Sequence, residues 1–190
     1  MNPHLDETAL AYFESVIQNA DTYIEYGCGG STIRALELGV KNVIIAESDP
    51  FWADKVQKQA DEIMNAEQTL HIELTDFGKT AAWGTPIHVT EDKALAYVER
   101  VWDKADELGL RPTVVLIDGR FRVSCGCESI LRCDVGTLIM LDDAFREEYS
   151  AFRECLPNFE RNGRLLSFKT VDIVDNAIRE CKKQHILSKR

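Results

Sequence analysis

Apolar positions along the chain switch between two periods. Leu5, Ala9, Tyr12, Phe13, Val16 and Ile17 recur at helical spacing and predict an N-terminal helix over about 5–18. Thr22 to Tyr26 is a short β-branched and aromatic run, the mark of a buried strand. Gly27, Gly29 and Gly30 follow, and a helical pattern starts at Ser31 with Ile33 and Leu36 on one face and Gly39 as its stop. Asn42 to Ala46 predicts a second strand, ending in Glu47, Ser48, Asp49 and Pro50. Phe51 to Ala66 is helical, with Trp52, Val56, Ala60 and Ile63 on one stripe. Leu70 to Leu74 is a third strand, ending in Thr75, Asp76, Phe77 and Gly78.

Lys79 to Val89 has no clear period and holds Gly84 and Pro86, so it reads as a loop. Thr90 is placed to cap a helix reaching about Leu108, with Leu95, Val98, Val101, Trp102 and Ala105 facing inward. Thr113 to Ile117 is apolar throughout, as a central parallel strand should be, and ends in Asp118 and Gly119. Phe121 to Leu131 predicts a helix, and Gly136 to Leu141 a fifth strand ending in Asp142 and Asp143. Glu147 to Leu156 reads as a helix and Gly163 to Thr170 as a sixth strand. The pattern from Asp172 to Arg190 fits either a short strand or a helix.

Strands alternating with helices imply a doubly wound, mostly parallel α/β sheet in three layers. A chain of 190 residues is read as one domain, with a core over about 20–170. Ligands of such sheets lie outside the carboxyl ends of the strands. Nearly every strand here ends in a carboxylate: Glu25, Glu47, Asp76, Asp118, Asp142 and Asp143.

The bulk numbers narrow the partners. A net charge of −10 argues against a nucleic-acid surface, which needs clustered Lys and Arg. The first residues have no basic region followed by an apolar core, and no apolar run approaches membrane-spanning length. The expectation is a cytoplasmic protein with six reduced thiols. Cys125, Cys127 and Cys133 lack the spacing of a zinc site and read as small residues on one helix. His4, His71, His88 and His185 are scattered; His88 follows the Trp83 to Pro86 segment, a candidate lid, and is a candidate base. Cys28 lies near a helix N-terminus, which can lower a thiol pKa, but its smallness beside a ligand is the plainer reading.

The glycine turn fits more than one nucleotide. Gly27, Gly29 and Thr32 lack the third glycine of the dinucleotide fingerprint, and no second domain is available to bring substrate to a nicotinamide. Glu25 places an anion where a phosphate would sit at a helix N-terminus. S-adenosylmethionine has no phosphate and carries a sulfonium and an ammonium, which Glu25 could meet directly or through water. Glu47 would accept from the ribose hydroxyls and Asp76 from the adenine amino group.

Glu25, Tyr26, Gly27, Cys28, Gly29, Gly30 and Ser31 resemble motif I of the class I S-adenosylmethionine-dependent methyltransferases, with Ser31 where a third glycine is common. Val43 to Glu47 is similar to their second-strand acidic motif. A narrower resemblance, through Trp83-Gly84-x-Pro86, Leu116 to Val123 and Leu141 to Asp143, is to uncharacterised bacterial methyltransferase-like proteins. The resemblance runs from about Leu10 to Lys169. It implies a cofactor site of Glu25, Gly27, Cys28, Gly29, Ser31, Glu47, Ser48, Asp76, Phe77 and Asp118. It implies methyl transfer to a small molecule or saccharide, with oxygen the expected acceptor atom and a homo-oligomer compatible. The rivals are a nucleotide-binding oxidoreductase and a non-catalytic protein that kept the fold.

Asp118, Asp142 and Asp143 end adjacent strands about 4.8 Å apart. Three converging carboxylates repel unless a cation sits among them, and Mg²⁺ is a natural occupant. The set resembles that of metal-dependent O-methyltransferases of the catechol and sugar-modifying types, which implies Asp118, Asp142 and Asp143 as ligands and Asp118 as base. Arg120 departs from that pattern. It could pair with Asp142 or Asp143 in place of the metal, or join Arg122 in binding an anionic acceptor. Asp118, Arg120 and Asp142 are therefore the candidate catalytic residues.

Overall fold

The computed structural model describes residues 1–81, 85–172 and 175–188. Seven helices, α1 (Glu7–Ile17), α2 (Gly30–Glu37), α3 (Pro50–Ile63), α4 (Glu91–Leu108), α5 (Arg122–Arg132), α6 (Ser150–Glu154) and α7 (Asp175–His185), surround a seven-stranded sheet. Its strands are β1 (Thr22–Tyr26), β2 (Asn42–Glu47), β3 (Thr69–Leu74), β4 (Val114–Ile117), β5 (Leu138–Leu141), β6 (Glu160–Asn162) and β7 (Leu165–Lys169). They lie in the order β3-β2-β1-β4-β5-β7-β6. The first five are parallel; β7 runs antiparallel to β5, and β6 antiparallel to β7.

The strand pleat sorts the core into two layers. Ile24 and Tyr26 of β1, with Val115 and Ile117 of β4, pack on the face covered by α4, α5 and α7. Tyr23, Val114 and Leu116 pack on the opposite face with α1, α2 and α3. Tyr26 ties the sheet to α4: its hydroxyl donates to the Val98 carbonyl at 2.6 Å and accepts from Trp102 Nε1 at 2.9 Å.

Local signals account for most element ends. Asp6 caps α1 by accepting the Ala9 N–H, and Asp49 caps α3 with Pro50 at its first position. Gly109 closes α4 in the left-handed region at φ 67°. Thr90 does precede α4, but its side chain makes no capping bond. The expected helix over 147–156 is a 3₁₀ turn, Glu147–Tyr149, followed by the short α6. The expected sixth strand is the second arm of a hairpin, its partner being β6, and the C-terminal pattern resolves as α7. Among the described residues no helix is long and apolar enough to cross a membrane.

Candidate functional site

The sheet reverses its winding between β1 and β4, and a cavity of about 610 Å³ opens there at the strands' carboxyl ends. That volume lies in the range of small-molecule sites. Two glycines set its floor. Gly27 turns at φ 85°, and a Cβ on it would sit 2.8 Å from Gly119 Cα. A Cβ on Gly119 would in turn strike the Tyr97 hydroxyl and the Gly27 nitrogen. The β1 and β4 loops therefore touch backbone to backbone, which no side chain permits. Gly29 differs: its backbone is extended, and an added Cβ would meet no atom within 4 Å. Since Gly29 lines the cavity, its missing side chain leaves room for a ligand.

Glu25 lies behind this loop rather than in the cavity. It is fully buried, and the Ser31 and Thr32 hydroxyls donate to its two oxygens, the latter at 2.6 Å. Burial pushes its pKa up to about 8, those two hydrogen bonds oppose the rise, and the Asp118 and Glu47 charges add to it. Its contact with the cavity runs through Ser31, which lines it. Glu47 does face the cavity. One of its oxygens accepts the Cys28 N–H at 2.9 Å, the other the Ser48 and Asp49 N–H groups at 2.6 and 2.8 Å. One carboxylate thus locks the β1 and β2 loops together and keeps acceptor capacity toward a ligand.

Cys28 and Ser48 also line the cavity. Burial, reinforced by Glu47, pushes the Cys28 thiol up, so the helix-terminus effect does not make it a thiolate. Asp76 and Phe77 stand apart from the cavity. Asp76 is exposed and turns its carboxylate to the Gly78 N–H, while Phe77 is buried against the Tyr97 and Phe121 rings. The aromatic wall at that end is Trp52 of α3, which the sequence pattern had assigned to a core stripe. Met1, Asn2 and His4 also border the cavity, and the Asn2–Pro3 backbone presses on Gly30. Only contact with α2 reveals this; the N-terminal segment carries no motif.

The rest of the cavity wall holds Asp118, Arg120, Arg122, Asp143, Arg146, Glu148, Tyr149 and Arg164. Asp118 and Asp142 do converge, within hydrogen-bonding reach of each other. Burial and the Asp118 charge raise the Asp142 pKa to about 7, against the pull of Arg164. Asp142 is closed off beneath the wall, so its candidate role at the reacting atoms is corrected to one of support.

The metal reading does not fit. Arg164 grips Asp142 through two bonds of 2.7 and 2.6 Å and reaches Asp143 at 2.9 Å. Arg146 pairs with Asp143 at 2.5 Å, and Arg122 with Asp118 at 2.8 Å. The cation that three carboxylates require is supplied by arginines. Among the described residues, no group of three potential ligands is arranged to hold a metal ion.

Arg122 reaches the cavity wall, but its donors are engaged within the protein. It is buried, and it donates to the Gly119, Asp142 and Asp118 carbonyls at 3.0, 2.6 and 2.7 Å. Arg120 does not pair with Asp142 or Asp143; its guanidinium meets the Thr85 hydroxyl at 3.3 Å on the cavity wall. Phe121 and Asp143 hold left-handed backbone at φ 55° and 54°, the two non-glycine residues to do so among those described. Such strain costs of order 1–3 kcal/mol and gathers at functional sites. The Trp83 and Gly84 part of the candidate lid lies outside the described residues. His88 is exposed and does not line the cavity.

No family model and no curated protein matches the chain. Solved structures do. A methyltransferase-like protein from Silicibacter pomeroyi superposes over 97% of this chain and 96% of its own, with TM-score 0.85 and 28% identity. A hypothetical protein from Thermus thermophilus covers 90% and 91%, at TM-score 0.53 and 12% identity. An RNA methyltransferase from Salinibacter ruber, in complex with S-adenosyl-L-homocysteine, covers 90% and 96%, at TM-score 0.51 and 14% identity. The last two speak for the fold alone. With the sheet order, these likenesses identify the α/β fold of class I methyltransferases.

Proposed function

We propose that this chain is an S-adenosylmethionine-dependent methyltransferase that methylates an oxygen of a small anionic molecule, such as a sugar acid. One observation carries the reading: a single cavity is lined by the Gly27–Ser31 loop, Glu47 and Trp52 together with Asp118 and Arg120. The donor set suits this cofactor. Glu47 offers a carboxylate to ribose hydroxyls, Trp52 a face for the base, and the bare backbone of Gly29 space beside them. When bound, the cofactor supplies an electrophilic methyl group on a sulfonium. The Salinibacter protein's bound S-adenosyl-L-homocysteine supports the same choice of ligand.

The chain's own residues then divide the work. Arg120 anchors the acceptor's negative charge, and Asp118 accepts the proton of its hydroxyl. Arg122 holds the Asp118 carboxylate still. Rate enhancement rests on proximity and alignment more than on a strong base. The net charge of −10 and a cavity of small-molecule size favour a small acceptor over nucleic acid or a membrane surface.

Thermal melts with S-adenosylhomocysteine and with NAD test the cofactor. At about 100-fold above Kd the first should stabilise by about 2.7 kcal/mol, or roughly 5–11 °C, and NAD should do nothing. A panel of hydroxy acids, sugar acids and their neutral analogues then reads methyl transfer. No melting shift with S-adenosylhomocysteine sinks the cofactor; transfer only to neutral acceptors sinks the role of Arg120.

A further inference from the structure

The proposed transfer uses none of the six thiols, yet three of them meet on the far side of the sheet from α1–α3. Cys127 lies in α5, Cys155 directly after α6, and Cys181 in α7. Cys155 stands one turn beyond Ala151 of α6, and both it and Cys127 neighbour Cys181. One turn on along α7, His185 Nδ1 stands 4.0 Å from Cys181 Sγ. The Ala151 carbonyl of α6 is 3.9 Å from the same sulfur. Cys181 is therefore a hub that two thiols and an imidazole surround.

Such a setting stabilises a thiolate at the hub. Hydrogen bonding from Cys127 lowers the Cys181 pKa to about 6, against the effect of burial, with Cys155 and His185 adding to the drop. Cys127, hydrogen-bonded to Cys181 and itself buried, is pushed up. Burial raises Cys155 to about 12. The two donors are not equivalent in access. Cys127 is sealed in the core at mid-helix, Cys181 is buried with 8% of its surface open, and Cys155 is half-buried just beyond a short helix end. The group is not arranged for a metal ion.

We propose that Cys181 is a peroxide-reactive thiol and Cys155 its resolving partner, the two forming a reversible disulfide that ties α6 to α7. The Cys181 thiolate attacks one oxygen of hydrogen peroxide. The O–O bond breaks, leaving a sulfenic acid on Cys181 and a hydroxide that takes up a proton as water. The Cys155 sulfur then attacks the Cys181 sulfur, and the S–O bond breaks. The hydroxide leaves with the Cys155 proton as a second water. Two thiols lose two electrons to the peroxide, and a thiol reductant such as glutathione restores them. The bond bears on the cavity because α6 follows Glu148 and Tyr149 directly, and both line the acceptor end.

The test treats the intact chain with a few equivalents of hydrogen peroxide, blocks the remaining thiols with N-ethylmaleimide and digests it for mass spectrometry. The expected product is a Cys155–Cys181 crosslinked peptide, two hydrogens lighter than its parts and lost on reduction. Cys133, half-buried on another surface, should remain alkylated. In Cys155→Ser the Cys181 sulfenic acid should persist and be captured by dimedone. The proposal is overturned if Cys181 is recovered as free thiol at doses that oxidise Cys133, or if only other cysteine pairs crosslink. The measurement on the unmodified sequence stands even if the variant fails to fold.

Discussion

Replacing Glu25 by glutamine should make the protein more stable at high pH while leaving it unchanged in acid. The Glu25 carboxyl is fully buried, and the Ser31 and Thr32 hydroxyls donate to its oxygens. No cation is among the causes that set its pKa; those that matter most are burial, the two hydroxyls and the Asp118 and Glu47 charges. Its folded pKa of about 8 lies above the ordinary 4.5. Between those values the folded protein keeps a proton that the unfolded chain has released, so stability falls as pH rises through the window. Each pH unit crossed costs about 1.4 kcal/mol, which accumulates to about 4–5 kcal/mol by pH 8. Glutamine is nearly isosteric, can accept from one hydroxyl and donate to the other, and does not titrate.

Urea melts of both proteins from pH 4 to 9 would read this directly. The two should coincide near pH 4 and diverge as pH rises, with the variant ahead by several kcal/mol at pH 8 to 9. Parallel curves from pH 5 to 8 would refute the picture of a protonated Glu25. Under the proposed function the same proton has a second use. A cationic ligand near Ser31 would favour the ionised form, so binding S-adenosylmethionine should release a proton near pH 7. Calorimetry in two buffers of different ionisation heat would count it.

Three further outcomes follow from the same geometry. Gly119→Ala should cost about 2–3 kcal/mol and lower the melting temperature by roughly 4–12 °C, because its Cβ enters the Tyr97 hydroxyl and the Gly27 nitrogen. Arg164→Ala should cost about 2 kcal/mol, less than a sealed ion pair would, since Arg164 is a quarter exposed and Asp142 can take up a proton. Losing Arg164 raises the folded Asp142 pKa further, so the variant's stability in melts should fall with rising pH over a wider range than the parent's. Glu47→Gln should weaken S-adenosylhomocysteine by roughly 10–100-fold in titration calorimetry, because a neutral amide replaces a charged acceptor.

The sheet was legible because its signals are local. The period-two and helical runs, Gly39 and the apolar β4 each declare an element without reference to the rest of the chain. The hairpin was half missed because Glu160, Arg161 and Asn162 are polar and on an edge strand, where burial imposes no alternation. Gly27 and Glu47 line the cavity, as their strand-end positions imply. Asp76 and Trp52 were misassigned for one reason: position in an element says which turn a residue occupies, not whether it faces the ligand or the core. Arg164 carried no signal. Its role depends on the β6–β7 turn, where Asp6 accepts the Arg164 N–H at 2.9 Å and holds the turn over Asp142.

Those long-range pairings also explain the acceptor end. Strand topology forces Asp118, Asp142 and Asp143 together, and such a cluster must be neutralised or protonated. This chain draws on both: burial and the Asp118 charge push the Asp142 pKa up, and Arg122, Arg146 and Arg164 surround the group. The arginines come from α5, from the loop before the 3₁₀ turn and from the hairpin, so three separate segments must dock before the charges balance. Within this lattice Arg120 alone faces the cavity with only a hydroxyl, and no ion pair to it occurs among the described residues. A guanidinium left with a neutral partner in a protein of net charge −10 is a specific arrangement. Under the proposed function it turns an uncompensated positive charge of the wall toward the acceptor's space, where a carboxylate or phosphate would gain a bidentate partner that a neutral analogue could not use.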